Sequence, residues 1–333
     1  MKDNGLKTGH ELVLGKSALI CCTRNRPFRV EQLLAFLQRQ QFLPGLVVFV
    51  DSSENLETRE VCAGSTGRFR PIWLSSAPGA PHQKNVGLNY LESNDFEWDR
   101  AAVFFLDDDI EPIENYFKTA IELLNQNTNV GIVGGFDVSL PEKANPSFIR
   151  RAMLLDDKSG GGSVLKSGIC TTRKPTSRIE AVDWVPGGMQ TYRGVAIQHH
   201  RFDGRIRIYG DEVEMQLRVS RATNFGIATS KDLAVVHHGE VSQKDNIAVQ
   251  ESYMDGFRWS LACNSATEVS KIAVVYTTLC LLIAETVFGF IKLSRCHVQK
   301  ALGHLIFIKR LILFQEVQQF VGHKGSGPFS RSS

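Results

Sequence analysis

A chain of 333 residues, 43% hydrophobic and 22% charged, carries enough apolar material for one large core or two modest ones, which excludes a disordered or fibrous chain. A formal net charge of +3, with basic residues scattered rather than striped along one face, gives no ground for nucleic-acid binding, and no nucleic-acid partner is expected. Seven cysteines without a Cys-x-x-Cys pair, two of them adjacent at Cys21 and Cys22 in an apolar run, suit a reducing compartment; the polar stretch Met1 to His10 has no export signature, so a cytoplasmic location is expected.

After a lead-in over 1–16, Ser17 to Cys22 reads as a strand, Thr23 to Pro27 as a polar loop, and Val30 to Gln40 as a helix with its apolar face at Leu33, Leu34 and Leu37. Pro44-Gly45 breaks the chain before a second buried strand, Leu46 to Val50, which ends in Asp51-Ser52-Ser53. Ile72 to Leu74 is a third strand. It is followed by a Pro/Gly loop (Pro78 to Pro81) and a helix around Gln83 to Leu91. The run Ala101 to Leu106 has no helical period and stops abruptly at Asp107, Asp108 and Asp109, as a fully buried parallel strand does at its carboxyl edge. Alternating strands and helices predict an α/β fold with a mostly parallel sheet, and ligands of such sheets bind beyond the carboxyl ends of the strands. Three adjacent carboxylates repel one another, and a hard divalent cation with oxygen ligands is the simplest way to keep them ionised together, although a solvated acidic loop fits the same residues.

A helix near Tyr116 to Asn125 and a strand near Val130 to Gly134 come next. From Asp137 to Glu180, around Gly160-Gly161-Gly162, the chain is irregular, and a loop of that length predicts a substrate-covering segment. Further on, the acids of Gly210-Asp211-Glu212-Val213-Glu214 suit the positive end of a helix. Leu233 to Val236 is a strand leading into His237-His238-Gly239, whereas His199-His200 reads as a solvated helix end and Trp184 as core. In the last third, Ile272 to Ile291 is apolar over a length that matches a bilayer span, Leu302 to Phe314 is apolar but too short to cross, and the tail Gly322 to Ser333 reads as disordered.

Between Ser17 and Gly239 these pieces resemble the GT-A fold of the family 2 inverting glycosyltransferases, which move a sugar from a nucleotide diphosphate to an acceptor hydroxyl. Ala18 to Pro27 is similar to the family's nucleotide-binding opening, Asp51 to its base-contacting aspartate, and Gln83-Lys84-Asn85-Val86-Gly87-Leu88 to its Arg-Asn-x-Gly-Leu segment, with Lys84 replacing the arginine. Asp107 to Asp109 matches its Asp-x-Asp. The resemblance implies that Thr23, Arg24, Asn25, Arg26, Asp51, Lys84, Asn85, Asp107 and Asp108 line the nucleotide-sugar site, with Gly187 and Gly188 where the backbone approaches the donor sugar, ahead of an acceptor-side helix. It further implies a divalent metal, Mn2+ or Mg2+, on Asp109, with Asp107 and His238 assisting, and a general base at Glu212 or, failing that, Asp211, because the family's acid pair is reversed here. The implied boundaries are 17–240 for the catalytic domain and 241–321 for a helical extension. The implied donor is a nucleotide diphosphate sugar, a UDP-sugar favoured, and the acceptor a saccharide or lipid-linked saccharide of cell-surface polysaccharide or glycolipid synthesis. Since such donors are cytosolic, a single crossing at 272–291 would put Lys292, Arg295 and Lys300 outside, so attachment to the inner membrane face in plane or as a hairpin is expected over a span, with a buried helical subdomain or an oligomer interface as the remaining reading. Two other readings are a non-catalytic nucleotide-sugar-binding protein on the same fold and a haloacid dehalogenase-type phosphatase with Asp107 as nucleophile and Asp109 as acid.

Overall fold

The computed structural model describes residues 10–140, 147–156, 161–206, 209–239, 247–264 and 267–313. The tail expected to be disordered lies outside the described residues, as does part of the irregular segment. In chain order the strands are β1 (Ala18–Thr23), β2 (Leu46–Asp51), β3 (Ile72–Ser75), β4 (Ala102–Leu106), β5 (Ile110–Pro112), β6 (Val130–Asp137), β7 (Glu180–Val182), β8 (Met189–Arg193) and β9 (Gly226–His237). The helices are α1 (Pro27–Arg39), α2 (Glu57–Gly64), α3 (Ala80–Glu92), α4 (Tyr116–Gln126), α5 (Phe148–Ala152), α6 (Gly194–Ile197), α7 (Asp211–Thr223), α8 (Ile247–Cys263), α9 (Lys271–Lys292) and α10 (Arg295–Ile312).

The strands form one sheet in the order β3-β2-β1-β4-β8-β6-β9-β5, with β7 paired to β9. The half β3-β2-β1-β4 is parallel throughout, so the chain ends of β1, β2 and β4 open on one edge; β8 enters between β4 and β6 and runs antiparallel to both. Alternation along β1 sends Leu19 and Cys21 to one face and Ala18 and Ile20 to the other. The first face is covered by α1 and α4, the second by α3, α6 and α7, and each fully buried Leu or Phe of these layers stabilises the fold by about 1.5–3 kcal/mol. A third apolar cluster joins Ile206 and Val213 to Phe257 and Leu261 of α8 and Val274 of α9, which fastens the C-terminal helices to the start of α7.

Two features differ from the sequence expectation in ways that shape the site. The glycine turn before Met189 feeds the buried strand β8, not a helix, and only the four-residue α6 follows it. The irregular segment after β6 docks on the C-terminal helices: Thr277 Oγ1 donates to the Met153 carbonyl at 3.1 Å and the Ser270 N–H to the Lys166 carbonyl at 2.8 Å.

Candidate active site

Strand register builds the site. Leu106 of β4 lies opposite Met189 of β8, so the next residues, Asp107 and Gly188, also meet, and the Asp107 N–H donates to the Gly188 carbonyl at 3.2 Å. A Cβ on Gly188 would lie 2.3 Å from Asp107 Oδ2, and one on Gly187 would lie 3.2 Å from Glu212 Cβ. A side chain at 188 would displace the Asp107 carboxylate and one at 187 would crowd Glu212, so the glycine pair lets this turn run between the two acids. The two walls therefore face one cleft, the aspartates on one side and the start of α7 on the other.

The three aspartates have separate surroundings. Asp108 turns inward, 6% exposed, and its carboxylate accepts from Thr23 Oγ1 at 2.6 Å and Arg26 Nη1 at 3.1 Å. It ties β4 to the β1 loop rather than pointing into the cleft. Asp107 keeps an open face to solvent, yet crowding by protein pushes its pKa up to about 6; Asp109, Asp108 and Asp211 push the same way and Lys84 opposes them. Asp109 sits with Arg26 Nη1 3.6 Å from Oδ2 and His237 Nε2 3.4 Å from Oδ1.

His238, implied by the resemblance as the metal ligand, faces elsewhere. Ile110 of β5 pairs with His237 of β9, which sets His237 beside Asp109, and successive side chains of an extended chain point to opposite sides. His238 consequently turns its Nε2 to Glu111 Oε2 at 2.9 Å and stacks on Phe36, with ring centroids 5.9 Å apart. Its backbone N–H still braces the Asp109 carbonyl at 2.8 Å. Among the described residues no three His, Cys, Asp or Glu side chains converge as a closed cage. The pair Asp109 and His237 offers one oxygen and one nitrogen donor and leaves most of a cation's coordination sphere to other ligands, the arrangement suited to a metal that also holds substrate phosphates.

On the opposite wall the two acids at the head of α7 divide. Gly210 starts the helix at φ +96°, a left-handed conformation, and a Cβ there would strike the Phe257 ring of α8 at 2.3 Å. Asp211, 5% exposed, accepts from Lys84 Nζ at 2.7 Å, and Lys84 is itself 6% exposed. The carboxylates of Asp211, Glu212 and Asp107 outweigh the desolvation of Lys84 and hold its pKa above the usual value. Among the described residues no salt bridge is formed by Glu212, which shares the field of Lys84 with Asp211. Burial, then Asp211, push its pKa up to about 8, with Lys84 pulling the other way. Of the pair, Asp211 is the one held by Lys84.

Several residues expected at the nucleotide site are held by the protein itself. Asn85 exchanges both amide groups with the Phe202 backbone, each at 2.8 Å. Asp51, 2% exposed, accepts from the Ser53 N–H at 2.9 Å and from Trp73 Nε1 at 3.2 Å. Asn25, at φ 53°, donates its N–H to Ser53 Oγ at 2.7 Å, and Arg24 lies 3.6 Å from Glu54 at the exposed rim. Together they shape the loops beyond β1 and β2. Trp184 is partly buried and gives its indole N–H to the Thr171 carbonyl at 3.1 Å. A pocket beside it is lined by Val185, Pro186 and Arg173.

Sequence reasoning missed Gln83 and Gln216. Gln83 Nε2 donates to the carbonyls of Thr23 and Val50, both at 2.8 Å, and so clasps the ends of β1 and β2. Gln216 accepts the Val185 N–H at 2.8 Å and donates to the Val185 carbonyl at 2.8 Å and to Gln190 Oε1 at 2.9 Å, which sets α7 against the glycine turn. A signal existed for Gln216, which lies four residues after Glu212 and thus on the same helix face.

No protein-family model and no curated protein matches the chain. Among solved structures the fold is similar to the mannosyltransferase PcManGT from Pyrobaculum calidifontis in complex with GDP-Man and Mn2+, with a TM-score of 0.52 and 12% sequence identity over 90% of this chain and 88% of that one. It is also similar to GalNAc-T7 with UDP, GalNAc and Mn2+, with a TM-score of 0.51 and 10% identity over 77% of this chain and 53% of that one, so this chain spans about half of GalNAc-T7. The chain has the GT-A fold of the nucleotide-sugar glycosyltransferases.

Proposed function

We propose that the protein is a metal-dependent inverting glycosyltransferase that moves a hexosyl or related sugar from a nucleotide diphosphate to an acceptor hydroxyl. One observation carries the reading: Asp107, two residues before the Asp109 that pairs with His237, and Glu212 stand on opposite sides of a single glycine turn, where a diphosphate at one wall and an acceptor at the other would flank the sugar. A divalent cation, Mn2+ or Mg2+, held by Asp109 and His237 with Asp107 beside them, would neutralise the charge that grows on the departing diphosphate. Glu212 takes the acceptor proton as the acceptor oxygen bonds to the anomeric carbon; the bond to the diphosphate oxygen breaks on the opposite face, and its electron pair leaves with the nucleotide. Lys84 fixes Asp211 and keeps the cleft from holding only negative charge.

The fold likeness favours sugar transfer over the phosphatase reading, and the raised Glu212 pKa favours catalysis over mere binding. The acceptor we favour is a polysaccharide or lipid-linked saccharide at the cytoplasmic side of a membrane. The test is a thermal-shift panel of UDP, GDP and their sugars with and without Mn2+. A rise in melting temperature that needs both nucleotide and metal, and that disappears in Asp109→Ala, is expected. Stabilisation by nucleotide that ignores the metal would refute the metal-dependent reading.

A further inference from the structure

Helices in water hide apolar residues and show polar ones; α9 shows an apolar stripe and hides two threonines and an acid beside Val274. Ile272, Tyr276, Leu279, Ile283, Val287 and Phe290 step by three and four residues along its whole length and all face outward, Ile272 at 83% and Phe290 at 78% exposure. The side toward the protein carries Val274, Thr277 and Thr278, all fully buried, and Glu285, which pairs with His297 of α10. The next helix repeats the pattern. Val298, Leu302, Leu305 and Ile312 of α10 point out, while His304, 2% exposed, points in to Asp255 of α8 at 2.7 Å. The turn between them ends on Ile291 and Leu293, 73% and 89% exposed.

Charge decides what covers this face. Residues 271–313 hold six Lys or Arg and a single acid, Glu285, which is turned inward. Lys271, Lys292, Arg295 and Lys309 are exposed around the apolar stripe. A second copy seated on the same face would bring two cationic rims together, whereas anionic headgroups above an acyl layer complement both the rim and the stripe. At about 1.5 Å per residue α9 is about 33 Å long, enough to cross a bilayer, but its inner side is covered: Thr278 meets Arg258 of α8, Glu285 meets His297 of α10, and Thr277 meets the Met153 carbonyl. A helix apolar toward one side only lies in the interface. We infer that the outward face of the α9–α10 hairpin is a docking surface for an anionic lipid bilayer, with α9 lying in the membrane plane and the 290–293 tip inserted. α5 is tied to α9 where Tyr276 donates to the Ala152 carbonyl at 2.9 Å, and it adds the exposed Phe148 and Ile149. The inference does not rest on the reading of the cleft.

Flotation of the full chain, with no nucleotide present, tests it against vesicles of phosphatidylcholine alone and of phosphatidylcholine mixed with phosphatidylglycerol. The chain should rise with the mixed vesicles and far less with the neutral ones. Phe290→Ser/Ile291→Ser/Leu293→Ser and, separately, Lys292→Glu/Arg295→Glu should each lower partitioning roughly ten-fold at low salt without changing the melting temperature, since all five side chains are exposed. Failure of the parent chain to float with either vesicle, or undiminished flotation of the tip variant, overturns the inference. So does a homodimer, seen by light scattering, that the tip substitutions abolish while vesicle binding is absent. None of these outcomes touches the transferase reading.

Discussion

Two groups of buried charges sit in this molecule, and they are balanced differently. In the C-terminal helices Asp255 gives one carboxylate oxygen to Arg258 and the other to His304, and Arg258 also donates to Thr278 Oγ1 at 3.1 Å and reaches the Ser167 carbonyl. At the cleft, the carboxylates Asp107, Asp109, Asp211 and Glu212, with Asp108 turned inward behind them, gather around Lys84, Arg26 and His237. The first group satisfies itself. The second carries an excess of negative charge, which adds to burial in raising Glu212 and Asp107 and leaves the cleft suited to a cation. Balanced burial holds helices together; unbalanced burial is tolerated where chemistry needs it.

Replacing Glu212 strikes the unbalanced group and carries the largest expected effect. Glu212→Gln should lower turnover by about 10²–10⁴, the range for a lost general base, while the fold persists. Because the folded carboxyl titrates near 8 against 4.5 in the unfolded chain, its ionised form destabilises the empty protein as pH rises through that window. Melting curves of Glu212→Gln and parent should therefore coincide near pH 4 and separate in favour of the variant toward pH 9. A base must be ionised, so kcat/KM of the parent should climb about ten-fold per pH unit below about 8, and the climb should vanish in the variant. Full turnover in Glu212→Gln, or a flat parent profile, would remove Glu212 from the mechanism.

The balanced group should answer in stability instead. Arg258→Met leaves the buried Asp255 with His304 as its remaining ion-pair partner among the described residues, and loss of one partner from a buried ion pair costs up to about 3–5 kcal/mol. Urea unfolding should show a lower midpoint for this variant. Residual turnover per folded molecule should stay near the parent's. A midpoint unchanged within error would mean that the Asp255–Arg258–His304 cluster does not hold the helices.

The features legible in the sequence are those that short stretches fix by themselves. A buried strand ending in carboxylates, a glycine pair before β8 and acids at the head of α7 each announce themselves within a few residues. Elements with little local signal were not readable: α2 buries only Thr58 and Cys62, so it has no apolar stripe, and β5 has three residues of which one is proline. The roles of Gln83 and Gln216 depend on distant backbone groups. Asn85 reads as a ligand-binding side chain, yet its partner is Phe202, 117 positions on. The apolar stretch at 272–291 was visible as composition, whereas the outward facing of its apolar stripe emerges only when α8 and α10 are packed beside it.

The choice between two neighbouring histidines gives the smallest and sharpest contrast. Register between β5 and β9, more than 100 residues apart, turns His237 to Asp109 and His238 to Glu111 and Phe36, and no local pattern in His237-His238-Gly239 distinguishes them. If Asp109 and His237 share a cation, His237→Ala should raise the Mn2+ concentration needed for half-maximal turnover about 10–100-fold. Saturating metal should recover most of the rate, because the remaining donors are intact. His238→Ala removes a ring that braces Glu111 and stacks on Phe36, both away from the proposed cation, so its effect should fall mainly on melting temperature. A metal titration shifted by His238→Ala and not by His237→Ala would reverse the assignment and show that the loop after β9 turns over when the cleft is filled.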